Sequence, residues 1–327
     1  MKKRDFERKI RESSRIIFNV KKEISKVFVG QEKVLNDLIV ALLCDGHVLL
    51  EGVPGIAKTL VVKSLAKVTG CTHGRIQFTV DLLPTDILGI TTYYPDKGFV
   101  TEKGPIFVNF LLADEINRSP PKTQSAMIEA MQEKQVTLGK QTYPLPKPFF
   151  VMATQNPLEQ SGVYPLPEAQ VDRFLFKIIM GYPKREEEKM IMEKNTTLNR
   201  FEDYSLKEVT SPEEIVAMQE MVKEVYLHDH IKDFILDIVE LTRTKKFSLG
   251  EYIEWGASPR ATIGLFIASK ANAFIEGREF VIPKDVESAA YNVLRHRIIL
   301  TYKAEIQKIT PDNVISEIIN VIKNKHV

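Results

Sequence analysis

The strongest local signal in this chain is the segment Gly52-Val53-Pro54-Gly55-Ile56-Ala57-Lys58-Thr59. It directly follows the apolar run Val48-Leu49-Leu50, and a helical pattern begins at Leu60. A glycine-rich turn between a strand and a helix presents successive backbone N–H groups at the helix N-terminus, where the helix dipole favours anions. The segment therefore predicts a phosphate-binding loop.

Residues Gly52 to Leu60 are expected to hold the phosphates of ATP, and two of their side chains have separate roles. Lys58 is placed to reach the β- and γ-phosphates, and the Thr59 hydroxyl is placed to ligate Mg²⁺. The usual glycine before the lysine is Ala57 here. Alanine tolerates helical φ/ψ, so the loop can still close if this position already belongs to the helix. The alternative interpretation is a chance Gly/Lys/Thr turn.

Short apolar runs alternate with helical patterns on both sides of this loop. We predict strands at 47–50, 75–79, 108–113, 149–153 and 174–178, and two helices before them that end near 27 and 43. Strands that alternate with helices imply parallel pairing. The predicted fold is α/β, a P-loop NTPase three-layer αβα sandwich with a parallel sheet.

The character of the chain changes after Gly181-Tyr182-Pro183, where strand-like patterns almost disappear. Helical periodicity predicts helices at 184–195, 212–226, 230–245, 259–276, 284–299 and 311–323. We therefore place a domain boundary there, with a nucleotide-binding core and N-terminal helix in residues 1–184 and a helical domain in residues 185–327.

Composition limits the classes of partner and compartment. Hydrophobic residues make up 44% and charged residues 27% of the chain, and the net charge is +2, so no global field draws it to nucleic acid or an anionic membrane. No segment approaches the roughly 20 apolar residues of a membrane-spanning helix. Cys44 and Cys71 have no metal-site or disulfide-framework spacing. We expect a cytoplasmic protein with no membrane insertion, and we do not expect it to bind nucleic acid.

Two carboxylates, Asp114 and Glu115, close the apolar run that begins at Val108. A buried parallel strand delivers such residues at its C-terminal edge, where ligands bind. Asp114 is expected to hold Mg²⁺, largely through water, and Glu115 to act as general base on the attacking water. The alternative interpretation is that the two acids merely end a strand.

The residues around these carboxylates resemble the MoxR family of AAA+ ATPases. The resemblance rests on Asp114-Glu115-Ile116-Asn117-Arg118-Ser119-Pro120-Pro121-Lys122-Thr123-Gln124, Glu129-Ala130-Met131-Gln132-Glu133, Ala153-Thr154-Gln155-Asn156-Pro157 and Tyr164-Pro165-Leu166-Pro167-Glu168-Ala169-Gln170-Val171-Asp172-Arg173-Phe174. It covers most of the chain from Val29 to Arg260 and implies a small all-helical AAA+ lid after the core. The family belongs to the AAA+ branch with an insertion in the second core helix, and its relatives include the magnesium-chelatase motor subunits.

The resemblance also implies roles for three further residues. Asn156 is similar to the sensor 1 residue that orients the lytic water, and Arg173 to the arginine finger that reaches the nucleotide of the adjacent subunit. Arg260 is similar to sensor 2, acting on its own or a neighbouring nucleotide. Without the resemblance, Asn156 is an ordinary turn former and Arg173 a surface arginine. Arg118 is a further interface candidate or a solvated residue.

Local chemistry supports a rigid placement of Arg260. Ser258 suits a helix N-cap and Pro259 the first helical position, so Arg260 is expected in the first turn.

Two hairpins are predicted outside the main sheet. Residues 93–100 belong to the insertion implied by the resemblance, and residues 136–143 contain a glycine at the first central position, which suits a type II′ turn. Both are expected to face a ring pore or a partner, or else to be inert surface hairpins.

The resemblance implies a hexameric ring that hydrolyses ATP with Mg²⁺ and a partner that carries a von Willebrand factor A domain. The expected activity is chaperone-like remodelling or maturation of a client protein or metal centre. Three alternatives remain: a magnesium-chelatase-like motor subunit, a DNA-dependent AAA+ motor, and a nucleotide switch without hydrolysis.

Overall fold

The computed structural model describes residues 3–52, 58–156, 162–194 and 204–326. Its helices are α1 (Lys3–Ile24), α2 (Glu32–Leu43), α3 (Lys58–Val68), α4 (Pro84–Leu88), α5 (Pro121–Glu133), α6 (Glu168–Val171), α7 (Arg185–Lys194), α8 (Pro212–Glu224), α9 (Asp229–Thr244), α10 (Pro259–Ile275), α11 (Pro283–Leu294), α12 (Tyr302–Ile306) and α13 (Pro311–His326). Its strands are β1 (Val48–Gly52), β2 (His73–Gln77), β3 (Gly89–Tyr94), β4 (Gly98–Lys103), β5 (Phe110–Asp114), β6 (Gln135–Leu138), β7 (Gln141–Pro144), β8 (Phe150–Gln155), β9 (Phe176–Met180), β10 (Ile253–Trp255) and β11 (Ile299–Leu300). Short 3₁₀ turns occupy Ile116–Arg118 and Gly250–Tyr252.

Five strands form a sheet in the order β2-β5-β8-β1-β9, with parallel pairing of β2 to β5, β5 to β8 and β8 to β1. The connection from β1 to β2 crosses the sheet in one direction, and the later connections return in the other. Because such crossovers are right-handed, the two sets of helices cover opposite faces. The connections reverse between β1 and β8, which places a ligand crevice at the carboxyl ends of these two strands.

The five predicted sheet strands are confirmed, each within two residues of its predicted start. The central strands β1, β5 and β8 are buried along almost their whole length, which is why they read as continuous apolar runs rather than as alternating patterns. The α/β fold is therefore confirmed.

Both predicted hairpins are present as the antiparallel pairs β3–β4 and β6–β7. Gly139 between β6 and β7 has φ +62, as a type II′ turn requires at its first central position.

Contacts divide the chain into two compact units. The first, the sheet unit, comprises Ile16–Arg173 and Ile178–Ala217, and the second, the helical unit, comprises Met1–Arg15, Phe174–Lys177 and Met218–Val327. This division does not coincide with the boundary predicted after residue 184, which stays a prediction.

Helix α7 belongs to the sheet unit because its start is tied to the turn before α2. Glu187 accepts a hydrogen bond from the Gln31 N–H (3.3 Å), and Gln31 Nε2 donates to the Gly181 carbonyl (3.1 Å). Gly30 has φ +73, and a Cβ there would lie 2.6 Å from the Glu187 carboxyl carbon. The positive φ favours glycine here, and the missing side chain leaves room for the Glu187 carboxylate. The helical periodicity of residues 184–195 gives no information about such a contact.

The helical unit contains the last four predicted helices and a small strand pair. Helices α9, α10 and α13 lie within three residues of their predicted bounds, but α11 ends at Leu294 rather than near 299. Residues Ile299 and Leu300 pair instead with Ile253 and Trp255 as an antiparallel ribbon. Strands of two or three residues show too little alternation to be read from sequence. None of the helices in the described ranges is long and apolar enough to span a bilayer.

Candidate nucleotide-binding and hydrolytic site

The predicted phosphate loop joins β1 to α3 at the ligand crevice. Gly52 ends β1, and Lys58 begins α3. The Lys58 Nζ donates a hydrogen bond to the Gly52 carbonyl at 2.7 Å, so the ammonium lies back over the end of β1. Thr59 and Leu60 follow in the first helical turn and are half-buried. The predicted binding residues Val53, Pro54, Gly55, Ile56 and Ala57 lie outside the described residues.

The electrostatic surroundings of Lys58 link it to the two predicted acids. Burial lowers the pKa of the Lys58 ammonium, and the carboxylates of Asp114 and Glu115 oppose that shift. Opposite charges favour the charged form of each partner at short range. The strand order thus brings the Lys58 ammonium near two carboxylates that lie more than 50 residues later in the sequence.

Asp114 is the last residue of β5, and hydrogen bonds hold both of its carboxylate oxygens. Thr154 Oγ1 of β8 donates to Oδ1 at 2.6 Å. Arg75 of β2 donates to Oδ2 through Nε at 3.1 Å and through a terminal nitrogen at 2.8 Å. The carboxylate is therefore oriented by the strands on either side of it.

Glu115 directly follows Asp114, and its backbone adopts the left-handed conformation, with φ 58 and ψ 49. Non-glycine residues adopt this conformation rarely, and it persists where surrounding contacts enforce it, often at functional sites. Here the Glu115 N–H donates to Thr154 Oγ1 at 2.8 Å, and its Oε2 accepts from Gln77 Nε2 at 2.7 Å and pairs with Arg118 at 3.2 Å. The turn directs the second carboxylate away from the strand.

Asn156 lies at the same edge, directly after β8, and is buried. The β1–β8 register pairs Glu51 with Gln155, so Asn156 comes next to the end of β1. The predicted residues Gly52, Lys58, Asp114, Glu115 and Asn156 therefore all lie at the carboxyl ends of neighbouring strands or at the adjoining start of α3.

The donor set at this edge fits Mg²⁺. Hydroxyl and carboxylate oxygens, here from Thr59 and Asp114, are the ligands that this hard cation prefers. Because hydrogen bonds already engage both oxygens of Asp114, the carboxylate is suited to hold Mg²⁺ through its water shell, as Mg²⁺ sites commonly do.

Two arginines with predicted roles, Arg173 and Arg260, are distant in sequence from the residues at this sheet edge. Arg173 follows α6 on an exposed stretch of the sheet unit. Arg260 belongs to the helical unit, where Ser258 caps α10 by accepting from the Arg260 N–H at 3.2 Å and Pro259 occupies the first turn. The predicted cap is confirmed, and the roles of both arginines stay predictions.

Sequence reasoning missed Arg75, Gln77 and Thr154, which hold the two carboxylates. Arg75 and Gln77 alternate on one face of β2, and the β2–β5 register pairs Gln77 with Asp114. Alternating polar residues near the end of a strand can indicate side chains that reach a site at the sheet edge. Here they could be assigned to the two acids only after β2 was known to adjoin β5. Thr154 lies in the Ala153–Pro157 motif, but the motif alone does not show that its hydroxyl reaches the acids of β5.

A parallel sheet with the predicted phosphate loop between β1 and α3, and with two acids at the end of β5, defines a P-loop ATPase. Family models agree: residues 47–176 match the ATPase family associated with various cellular activities (AAA), and residues 249–318 match the AAA lid domain.

Three relatives are similar over nearly the whole chain. Chaperone MoxR1 of Mycobacterium tuberculosis is 46% identical over 306 residues, which is 92% of this chain and 80% of that protein. The YeaC protein of Bacillus subtilis is 44% identical over 92% of each chain. A crystal structure from Cytophaga hutchinsonii matches with a TM-score of 0.89 and 44% identity, covering 97% of this chain and 96% of the other. This chain belongs to the MoxR family of AAA+ ATPases.

Proposed function

We propose that this protein binds and hydrolyses Mg²⁺·ATP in a hexameric ring and uses the cycle for chaperone-like remodelling of a client protein. One observation carries the hydrolytic part: Thr154 Oγ1 bonds both the Asp114 carboxylate (2.6 Å) and the Glu115 N–H (2.8 Å). The two acids are thereby held in a fixed relation beside Lys58. Such preorganisation is what a hydrolytic site needs before substrate arrives.

Each residue at the sheet edge has a task in this mechanism. Lys58 and the backbone of the loop bind the phosphates, and Thr59 with Asp114 holds the metal. Glu115 accepts a proton from the attacking water, and Asn156 orients that water. The metal held there would supply positive charge against the negative charge that develops on the phosphates.

A ring is proposed from membership of the AAA+ family, and the exposed Arg173 side chain is accessible to a neighbouring subunit. We assign Arg173 to the nucleotide of the adjacent subunit, where an arginine contributes about 10³ to 10⁵ in rate by stabilising transition-state charge. Arg260, anchored at the start of α10, is assigned to sensing the phosphates from the lid domain.

The biological role rests on family membership. The name Chaperone MoxR1 of the 46%-identical relative supports remodelling of a protein client. Maturation of a metal centre and a partner with a von Willebrand factor A domain belong to the same proposal and rest on the family resemblance alone.

The decisive experiment compares ATP turnover of the wild type with Glu115→Gln. Loss of the general base is expected to lower kcat about 10²- to 10⁴-fold, while binding of a fluorescent ATP analogue persists because Lys58 is untouched. Glu133→Gln, an exposed carboxylate at the end of α5, is the matched control and should keep full turnover. Equal near-zero rates in wild type and Glu115→Gln, with intact ATP binding, would support a nucleotide switch instead.

The same variant addresses the partner. Glu115→Gln should hold ATP and trap bound client and partner proteins for recovery in a pull-down. Strong stimulation of wild-type turnover by added DNA would contradict the protein-remodelling role and support a DNA-dependent motor.

A further inference from the structure

The first turn of α5 connects three segments of the sheet unit through three consecutive side chains. Thr123, Gln124 and Ser125 each bond a different part of the chain. Helix α5 begins shortly after the loop that carries Glu115. This turn is therefore placed to link the loop of Glu115 to other segments of the sheet unit.

Gln124 makes the central link. Its side chain is completely buried. The two N–H groups of its Nε2 are shared among three carbonyls, those of Ile116 (3.3 Å), Ser119 (3.0 Å) and Tyr164 (2.9 Å). The first two carbonyls belong to the loop directly after Glu115, and the third belongs to the segment that leads to α6 and Arg173. One amide nitrogen thus joins the loop of the general base to the segment of the proposed finger.

The surroundings of the Gln124 amide show that its side chain has one orientation. The Gln124 Oε1 is buried and has no hydrogen-bond partner among the described residues. A flipped amide would point its oxygen at three carbonyl oxygens, so the orientation is determined by the nitrogen.

Neighbouring bonds strengthen the same connection. The Tyr164 N–H donates to the Asn117 carbonyl at 2.6 Å, so the two segments are joined twice. Gln170 Nε2 of α6 donates to Ser125 Oγ at 3.1 Å, and the Arg173 N–H donates to the Gln170 carbonyl at 3.1 Å. An unbroken path of bonds therefore runs from the Glu115 loop through α5 to Arg173.

Thr123 connects the same turn to the inserted hairpin. Its Oγ1 donates at 2.7 Å to the carbonyl of Leu82, which lies just before α4 and the β3–β4 hairpin.

We propose that Gln124 is a positioning residue that acts across the subunit boundary: it sets Arg173 for the neighbour's nucleotide according to the state of its own Glu115 loop. This inference rests on the proposed function, because it requires Arg173 to act in trans. In this proposal a shift of residues 116–119 during hydrolysis displaces the Gln124 side chain, and residues 164–173 follow. A misplacement of about 1 Å at a catalytic group can lower the rate by about 10²-fold, so a small displacement is sufficient to control the neighbour.

The test uses rings mixed from two inactive variants. Glu115→Gln subunits lack their own base but retain Arg173, and Arg173→Ala subunits retain their own base but cannot serve a neighbour. In a head-to-tail ring, random 1:1 assembly leaves roughly a quarter of the interfaces competent, so about that share of wild-type turnover is expected to return.

Gln124→Met is then added to the Glu115→Gln subunit, whose own site is already inactive. Any further loss must therefore arise at the neighbour's site. We expect the recovered turnover to fall at least about fivefold, with binding of a fluorescent ATP analogue to the doubly substituted subunit unchanged. Unchanged recovered turnover would overturn the proposal.

Two controls separate the possible failures. No recovery in the reference mixture would refute the shared site itself, and with it both the proposed function and this inference. Gln219→Met changes another buried glutamine, on α8, in the same Glu115→Gln background and should leave the recovery intact.

A milder variant tests the same path if the double variant does not assemble. Ser125→Ala removes the acceptor for Gln170 at an exposed position and should lower the recovered turnover about twofold. Ser288→Ala is the matched control, because Ser288, like Ser125, donates to the carbonyl four residues earlier in its helix. An equal recovery with both serine variants would count against the proposed path.

Discussion

Two groups of charged residues, one at the edge of the sheet and one around Arg297 in the helical unit, are held in different ways. At the sheet edge, Asp114 and Glu115 are bonded mainly by side chains, and two of these, Arg75 and Arg118, are 50% and 41% exposed. In the helical unit, Arg297 is only 7% exposed and donates to three backbone carbonyls, those of Phe174 (2.7 Å), Leu175 (3.1 Å) and Val293 (2.5 Å).

The difference determines which charged side chains can change partners and which are fixed parts of the fold. An exposed arginine side chain can leave a carboxylate and rotate into solvent with little loss, because such surface pairs contribute only about 0–1 kcal/mol. A buried guanidinium held by backbone carbonyls cannot move without leaving several groups unpaired. Substitutions of exposed arginines in the sheet unit should therefore change ATP turnover. Substitution of the buried Arg297 in the helical unit should change stability.

The largest effect is expected for Arg173→Ala. Turnover should fall about 10³-fold or more, since transition-state charge on the neighbouring nucleotide loses its partner. Nucleotide binding and the thermal midpoint should stay close to wild type, because the side chain is exposed. Steady-state kinetics and calorimetry measure both, with Arg185→Ala at the exposed start of α7 as the control. Full activity in Arg173→Ala would refute the finger role.

Arg297→Met should show the opposite pattern. It removes the donors of three carbonyls from a buried site, which should lower the stability of the helical unit by about 3 kcal/mol, or its melting temperature by roughly 10 °C. Arg243, exposed and bonded to the single carbonyl of Ala257, provides the milder comparison. If Arg297→Met melted like Arg243→Met, the distinction between the two regions would be wrong.

His47 extends the comparison, because it is a structural group within the sheet unit. It lies just before β1, with Nε2 bonded to the Met131 carbonyl (2.9 Å) and Nδ1 accepting from the Val151 N–H (3.2 Å). Burial lowers the pKa of His47 to about 4 from its ordinary 6.5. Between these values the unfolded chain binds more protons, so this contribution to stability is complete above pH 6.5 and is lost as the pH falls toward 4.

We therefore expect the free energy of unfolding to drop by about 2 kcal/mol from this residue between pH 7 and pH 5. Chemical denaturation at several pH values measures the slope, and His47→Gln should remove this part of it. His230→Gln, exposed at the start of α9, should leave the slope as it is. An identical slope in wild type and His47→Gln would show that His47 does not titrate on unfolding.

The smallest effect is expected for Thr154→Val. The change keeps the shape but removes the hydroxyl that joins Asp114 to the Glu115 N–H. Turnover should fall about tenfold because both acids lose their fixed relation, and the Mg²⁺ concentration for half-maximal rate should rise. Thr154→Ser should restore most of the activity. Equal activity of the valine and serine variants would mean that this hydroxyl has no role in catalysis.

The sequence predicted those parts of the site that depend on neighbouring residues. The strand before Gly52, the strand that ends in Asp114 and the cap formed by Ser258 were all found from local patterns. Such features are readable because periodicity, turn chemistry and capping involve residues within about one helical turn or strand.

The partners of the two acids were not predictable in the same way. Arg75 and Asp114 are 39 positions apart, and Gln77 and Glu115 are 38. Their contact exists only because β2 adjoins β5, and nothing in either strand alone specifies its neighbour. The left-handed turn at Glu115 was likewise missed, because contacts from β8 and β2 enforce it against the preference of the residue.

Local sequence was sufficient to establish a phosphate loop, the alternation of strands and helices, and two acids at a strand end. Only the tertiary structure established which strands are neighbours. It therefore alone showed that Thr154 bonds the Asp114 carboxylate and the Glu115 backbone N–H, and that Gln124 joins the Glu115 loop to the Arg173 segment. The physical reason is that a side chain is buried and bonded by groups brought together from distant parts of the chain. Those groups become neighbours only when the whole sheet forms.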